Sequence, residues 1–217
     1  MTNQPRRILV VDDHPLVRVG LRSIIDEEPD LVICGEVGSI RDAIEAARTT
    51  APDLVLVDIS LEDGSGIDLI KRLKPRTPDL KMLVCSMHDE SLFAERAINA
   101  GARGYVQKHQ GIEQVLAAIR QVLAGRIYLS DKMVDRVIEG FGKKKDGSAS
   151  SIESLSDREL EVFGLIGEGL STSQIAERLH LSVKTVETHR EKIKRKLGLT
   201  TAGELVRHAV RWHMEQS

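Results

Sequence analysis

Apolar runs and helix-spaced stretches alternate along the first 124 residues. Residues 8–11, 31–34, 54–57, 82–85 and, more weakly, 105–106 are short apolar segments dominated by Val, Ile and Leu. Such runs read as strands covered on both faces. Between them, Leu16, Val17, Leu21, Ile24 and Ile25 recur at helical spacing. So do Ala43, Ile44 and Ala47, behind a weak capping signal from Ser39 and Asp42. A third set is Ile112, Val115, Leu116, Ile119, Val122 and Leu123. Five strand–helix units over 6–124 predict an α/β doubly wound five-stranded parallel sheet.

The pattern then changes. Met133, Val134, Val137 and Ile138 space a possible short helix, and GFGKKKDGSASS at 140–151 has the composition of a linker. Residues 125–151 are therefore assigned to a linker with a possible short helix. Beyond it no strand pattern remains. Helices are predicted near 156–168, 173–179, 183–197 and 202–213, giving a small all-α domain over 152–217.

Composition narrows the class. The chain has 217 residues, 41% hydrophobic and 29% charged, but only 3% aromatic, so its cores are aliphatic. Cys34 and Cys85 lie in apolar runs without ligand spacing. That excludes a disulfide scaffold and a cysteine zinc site, and suits a reducing, cytoplasmic compartment. No run approaches the ~20 apolar residues of a membrane span, so no membrane association is expected. The opening MTNQPRRILVVDD meets acids too soon for a signal peptide. A formal net charge of -2 excludes a wholly basic coat but not a local basic face.

Asp12 and Asp13 follow the first predicted strand and Asp58 the third. In an open parallel sheet the carboxyl ends of the strands border the ligand crevice. Three carboxylates there repel one another unless a cation joins them, and hard oxygen donors suit Mg²⁺ or Mn²⁺. Ser86 follows the fourth strand and Lys108 the fifth. Acids, a hydroxyl and an ammonium around one point can handle a phosphoryl group, with a carboxylate as nucleophile. An Asp after a strand usually just caps the next helix. Five suitable residues at the strand ends outweigh that simpler account.

These motifs carry a resemblance. Residues 6–124 resemble the receiver domain of two-component response regulators, through VVDDH, LVLVDIS and GYVQK. The resemblance implies that Asp58 is the phosphoacceptor. It implies that Asp12, Asp13 and Asp58, with the Ser60 backbone carbonyl, hold the metal. Ser86 maps to the switch hydroxyl, Lys108 to the phosphate-binding lysine and Tyr105 to the switch aromatic. Ser60 and His88 take the two variable positions that tune dephosphorylation. Glu62 stands where the family often has Pro, a departure that concerns the loop rather than the chemistry.

In the helical region, residues 151–217 hold ten bases and ten acids, yet 180–197 hold six bases and two acids. Val183, Val186, Ile193 and Leu197 leave one side of that helix for packing. The preceding SQIAERL and the turn His180–Ser182 make a helix-turn-helix, with Ser182 as N-cap. LSDREL through KLGL resembles the LuxR-type DNA-binding domain of the NarL/FixJ regulators. Carried over, Lys184 and Thr185 open the recognition helix, and Glu187, Thr188 and Glu191 face the groove. Glu can accept from a cytosine amino group and a Thr methyl can meet thymine. Arg190, Lys192 and Lys194 are phosphate candidates. His189 reads as a packing residue rather than a metal ligand. Leu205, Val206, Ala209 and Val210 resemble the family's dimer contact, and packing on the domain's own core is the simpler account of them.

The expected function is a transcription factor rather than an enzyme. A sensor histidine kinase donates to Asp58, and the protein binds double-stranded DNA as a homodimer. Two alternatives stay open: a receiver that is only a protein-interaction module, and an Asp-nucleophile phosphatase. Ser60, where a second acid would help turnover, speaks against the latter. GEGLSTSQ does not match a P-loop, so no nucleotide site is inferred.

Overall fold

Five strands, β1 (Arg6–Val11), β2 (Leu31–Val37), β3 (Leu54–Val57), β4 (Lys81–Ser86) and β5 (Tyr105–Gln107), pair in parallel in the order β2-β1-β3-β4-β5. The structure is a computed structural model that describes residues 4–131, 133–135 and 151–216. It divides into two compact units, residues 1–139 and 140–217. β2 runs three residues further than its apolar run, because Gly35 and Glu36 continue the ladder against Leu9 and Val10.

Helices α1 (Pro15–Asp26), α2 (Ile40–Thr50), α3 (Gly66–Leu73) and α4 (Glu90–Ala100) connect the strands, and α5 (Ile112–Leu123) follows the last of them. Ser39 caps α2 by accepting the Asp42 amide, as the sequence pattern predicts, and Asp89 caps α4 by accepting from Ser91 at 2.7 Å. Ile8 and Val10 join Leu21, Ile25, Val115 and Ile119 in one aliphatic core, while their neighbours Leu9 and Val11 are buried too. Both faces of the sheet are thus covered.

In the second unit, α6 (Asp157–Gly167), α7 (Thr172–Arg178), α8 (Val183–Leu197) and α9 (Ala202–Gln216) follow a 3-10 turn at Ser151–Ser154. Phe163 of α6 is the centre of the core, with the Trp212 ring 5.2 Å and the His208 ring 5.9 Å away. Ser156–Glu159 and Ser171–Gln174 form reciprocal capping boxes on α6 and α7.

Three predicted packing residues are exposed instead: Leu16, Ile112 and Val183. Each lies in the first turn of its helix. A helical side chain leans toward the N-terminus, so first-turn residues project past the helix end rather than onto the core. Of the possible short helix, residues 131 and 133–135 are helical, while Val137 and Ile138 lie outside the described residues, as does most of the 140–151 linker.

Candidate functional site

The order of the strands reverses between β1 and β3, so the crevice opens where Asp12 and Asp58 leave the sheet. Both side chains are almost wholly buried. The backbone behind Asp58 is tightly held. Gly66 donates its amide to the Ile59 carbonyl at 2.7 Å, and a Cβ on Gly66 would lie 1.9 Å from the Asp58 carbonyl oxygen. Only glycine fits there. Glu62 lies in the loop between, where Ser60–Leu61 and Gly64–Ser65 form a two-residue antiparallel ladder. Asp63 beside it accepts the amides of Ile40 at 2.6 Å and Arg41 at 3.1 Å, tying this loop to the start of α2.

Lys108 stands between the acids. Its Nζ lies 2.6 Å from Asp12 Oδ2 and 2.7 Å from Asp58 Oδ2, and its side chain is only 10% exposed. Two buried carboxylates draw it inward from the end of β5. Burial works against its charge, but the Asp58 and Asp12 carboxylates outweigh that and raise its pKa above the ordinary value. Burial and the neighbouring Asp58 charge raise the Asp12 pKa in turn, against the opposing Lys108 ammonium. Asp58 Oδ1 accepts the Ile59 amide at 2.7 Å, and Asp12 Oδ1 accepts the His14 amide at 2.9 Å. Asp13 faces His14 Nδ1 at 2.6 Å. Ligand atoms of Asp12, Asp13, His14 and Asp58 all lie within 4.8 Å of one another. Carboxylates crowded this closely, one of them with its ionisation opposed by burial, fit a hard divalent cation.

The remaining pocket residues meet around His88. Its amide donates to Ser86 Oγ at 3.4 Å, and its carbonyl accepts the Tyr105 hydroxyl at 2.8 Å. Its ring Nε2 lies 3.0 Å from Ser60 Oγ, and the ring packs at a tilt against Phe93 of α4, with centroids 5.2 Å apart. Tyr105 is buried, and burial drives its pKa well above the ordinary phenol value. Cys85 beside Ser86 belongs to the core, and burial pushes its thiol up to about 12.

Helix α8 is built differently. Ser182 caps α8 by accepting the Thr185 amide at 3.1 Å, and His180 makes the preceding turn with a left-handed φ of 51°. Arg158 holds that turn from α6, donating to the Leu179 carbonyl at 2.9 Å and pairing with buried Glu161 at 2.5 Å. Val186 and Ile193 are buried, while Lys184, Glu187, Thr188, Glu191 and Lys192 are exposed along the helix. Thr185 and Arg190 are half-buried. The Thr188 hydroxyl donates to the Lys184 carbonyl at 2.9 Å, so its hydrogen goes to the helix backbone. Lys194 pairs with Glu191 at 2.9 Å, which joins a phosphate candidate to a base candidate. Lys196 turns away to Glu159 at 2.6 Å and the Ser154 carbonyl at 2.9 Å. His189 is half-buried, and burial with the nearby Arg158 charge lowers its pKa.

The four dimer candidates divide between the domain's own core and its surface. Leu205 and Ala209 are fully buried in their own domain, where Ala209 packs so closely on α6 that a Cβ on Gly167 would lie 2.7 Å from its carbonyl. Only exposed Val206 and half-buried Val210 remain for a surface contact. Sequence reasoning also missed Gly66, Arg158, Glu159 with Lys196, and Glu90. Glu90, at the start of α4, is buried and accepts the Ser130 amide at 3.0 Å. The glycine of DGSG and the acid three residues after Ser156 were visible signals; Glu90 offered none.

The response regulator receiver domain model matches residues 8–120, and the model for bacterial regulatory proteins of the luxR family matches residues 153–209. The chain is 34% identical over 212 residues to the transcriptional regulatory protein MctR of Rhizobium johnstonii, covering 97% of this chain and 96% of the relative. It is 35% identical to the response regulator GacA of Pseudomonas aeruginosa, covering 96% and 97%. Among solved structures it resembles a LuxR-family two-component response regulator from Aurantimonas, with 33% identity, a TM-score of 0.59, and coverage of 64% of this chain and 100% of that one. It also resembles RcsB of Salmonella enterica bound to promoter rprA in the presence of a phosphomimetic, with 25% identity, a TM-score of 0.60, and coverage of 95% and 99%.

Proposed function

The chain belongs to the NarL/FixJ family of two-component response regulators, and from that premise we propose that it is a DNA-binding transcription regulator switched by phosphorylation of Asp58. The observation that supports this most is the Lys108 ammonium bridging Asp12 and Asp58 inside a buried acid cluster. A sensor histidine kinase supplies the phosphoryl group. One Asp58 oxygen forms the new P–O bond as the P–N bond to the donor imidazole breaks, and the imidazole leaves with that electron pair. The product is an acyl phosphate. Lys108 then holds a phosphoryl oxygen, and Ser86 binds another.

Asp12, Asp13, Asp58 and the Ser60 carbonyl would hold Mg²⁺, or Mn²⁺ equally well by donor type. When bound, the ion offsets the negative charge gathered at the pocket. Ser60 and His88, bonded to each other beside Asp58, set how readily water reaches the acyl phosphate. The exposed face of α8 enters the major groove. The base readers are Glu187, Thr188 and Glu191, and Arg190, Lys192 and Lys194 hold phosphates with Lys184 and Thr185 at the helix start. Two protomers pair on DNA, with Val206 and Val210 available for the contact. The place of action is the cytoplasm; among the described residues no helix is long and apolar enough to cross a membrane.

The test is intact-mass measurement after acetyl phosphate and Mg²⁺. One phosphoryl adduct is expected on the wild type and none on Asp58→Asn. A full adduct on Asp58→Asn, or none on the wild type across several donors, contradicts the proposal.

A further inference from the structure

The chain continues past α5 along the edge of the sheet. Tyr128 forms a parallel bridge beside β5: its amide donates to the Arg103 carbonyl at 3.0 Å, and its carbonyl accepts the Tyr105 amide at 2.9 Å. Gly104 makes the approach possible, since a Cβ there would lie 2.7 Å from the Tyr128 carbonyl oxygen. The Ser130 amide reaches the buried Glu90 carboxylate at 3.0 Å. Met133 is buried, and its amide donates to the Ser130 carbonyl at 2.9 Å. The segment is therefore fastened by Tyr128 at β5, by Ser130 at the first residue of α4, and by the buried Met133 side chain.

These fastenings fall on the switch residues. One is the Tyr105 backbone itself. Another is Glu90, two residues beyond His88, whose backbone already bonds both Ser86 and Tyr105. An open pocket lined by Glu90, Tyr105, Gln110, Gln114, Tyr128 and Ser130 lies against the segment. The same segment is the only covalent path from the receiver toward the helical domain.

We propose that residues 126–135 are an output strap, and that Glu90 is the positioning residue that ties the strap to the state of Asp58. This rests on the phosphoacceptor reading above. A phosphoryl group on Asp58 gives Ser86 Oγ an anion to bind, which draws the loop at 86–90 toward the pocket. The Tyr105 hydroxyl follows the His88 carbonyl. Glu90 is carried with the loop, and a displacement of about 1 Å takes its bond to Ser130 beyond hydrogen-bonding range. Phosphorylation thus loosens the strap and frees the chain that leads to the DNA-binding domain.

Hydrogen exchange on the full chain, with intact mass recorded on the same samples, tests this. Peptides over 126–135 should exchange roughly tenfold faster in the phosphorylated protein, while those of β1 and β3 stay unchanged. Glu90→Ala should exchange fast there without phosphorylation. Glu90→Gln keeps an acceptor oxygen in place and should behave as the wild type. Gly104→Ala, which displaces the strap at its other anchor, should match Glu90→Ala and carries the test should the latter fail to fold. An adduct on the wild type with unchanged or slower exchange over 126–135 overturns the strap alone, as does wild-type exchange in a folded Glu90→Ala. Absence of any adduct overturns the phosphoacceptor reading, and the strap's regulation with it.

Discussion

The pocket around Asp58 and the outer face of α8 are opposite solutions to presenting functional side chains. In the pocket every named group is already engaged with another: Lys108 with both acids, Ser86 with His88, Tyr105 with the His88 carbonyl. On α8, Lys184, Glu187, Thr188 and Lys192 stand in solvent. A site for a small group must hold its charges in a buried cradle before the ligand arrives. A site for a duplex can leave them solvated, because the partner's own phosphates and bases complete it. Substitutions in the two regions should therefore differ in kind.

Lys108→Ala gives the largest expected effect. It leaves two buried carboxylates without their cation, which costs about 3–5 kcal/mol. Trp212 is the only tryptophan and lies in the second unit. The urea transition followed by far-UV circular dichroism should gain an early phase from the first unit, while Trp212 fluorescence keeps its midpoint. A loss below about 1 kcal/mol would mean that the lysine is as exchangeable as a surface one.

Glu159 sharpens the comparison, since it is a buried carboxylate in the domain of the exposed interface. Burial pushes its pKa up, but the Lys196 ammonium and the Ser156 amide outweigh this and hold it below the usual range. A depressed acid contributes stability that is present above its unfolded pKa, about 4.3, and that is lost as pH falls through the lower folded value. The Trp212 transition should weaken across that window. Glu159→Gln should flatten the dependence by roughly 1 kcal/mol. An unchanged acid limb would show that the Lys196 pair is not formed in solution.

The α8 face should show the smallest effects on folding. Thr188→Ala and Glu187→Ala should alter stability by less than about 0.5 kcal/mol. They should shift base preference by ~1–3 kcal/mol per affected pair. Lys192→Ala should instead weaken all sequences alike and flatten the slope of log K against log salt by about 0.9 per phosphate lost. A salt titration on a selected site and on random duplex separates the two behaviours. Equal slopes for the wild type and Lys192→Ala, with unmoved preference in the other two, would remove α8 from the groove.

The same contrast explains what could be read from the residues alone. The sheet and pocket were legible because burial on both faces demands unbroken apolar runs and because strand ends bring their next residues to one crevice. Ser39 and Ser182 caps were legible through local spacing. Leu16, Ile112 and Val183 were misplaced because helical periodicity ignores how side chains lean beyond the first turn. Leu205 and Ala209 could be read two ways because one helix serves the core and the surface, and spacing does not say which stripe is inward; both prove to be buried. Residues 126–135 were read as tether with a possible short helix because Met133 gave only a local spacing, while the distant fastenings at Gly104 and Glu90 leave no periodic trace.

The central claim is that the state of Asp58 controls the α8 interface, and DNA affinity measured by fluorescence anisotropy with and without acetyl phosphate and Mg²⁺ tests it most directly. On a site selected from random duplex, phosphorylated wild type should bind roughly 5–150-fold more tightly than untreated protein, the range of ordinary allosteric coupling, and Asp58→Asn should bind equally with and without the donor. Equal affinities for wild-type protein carrying the adduct and protein without it, or a full response from Asp58→Asn, would contradict the account.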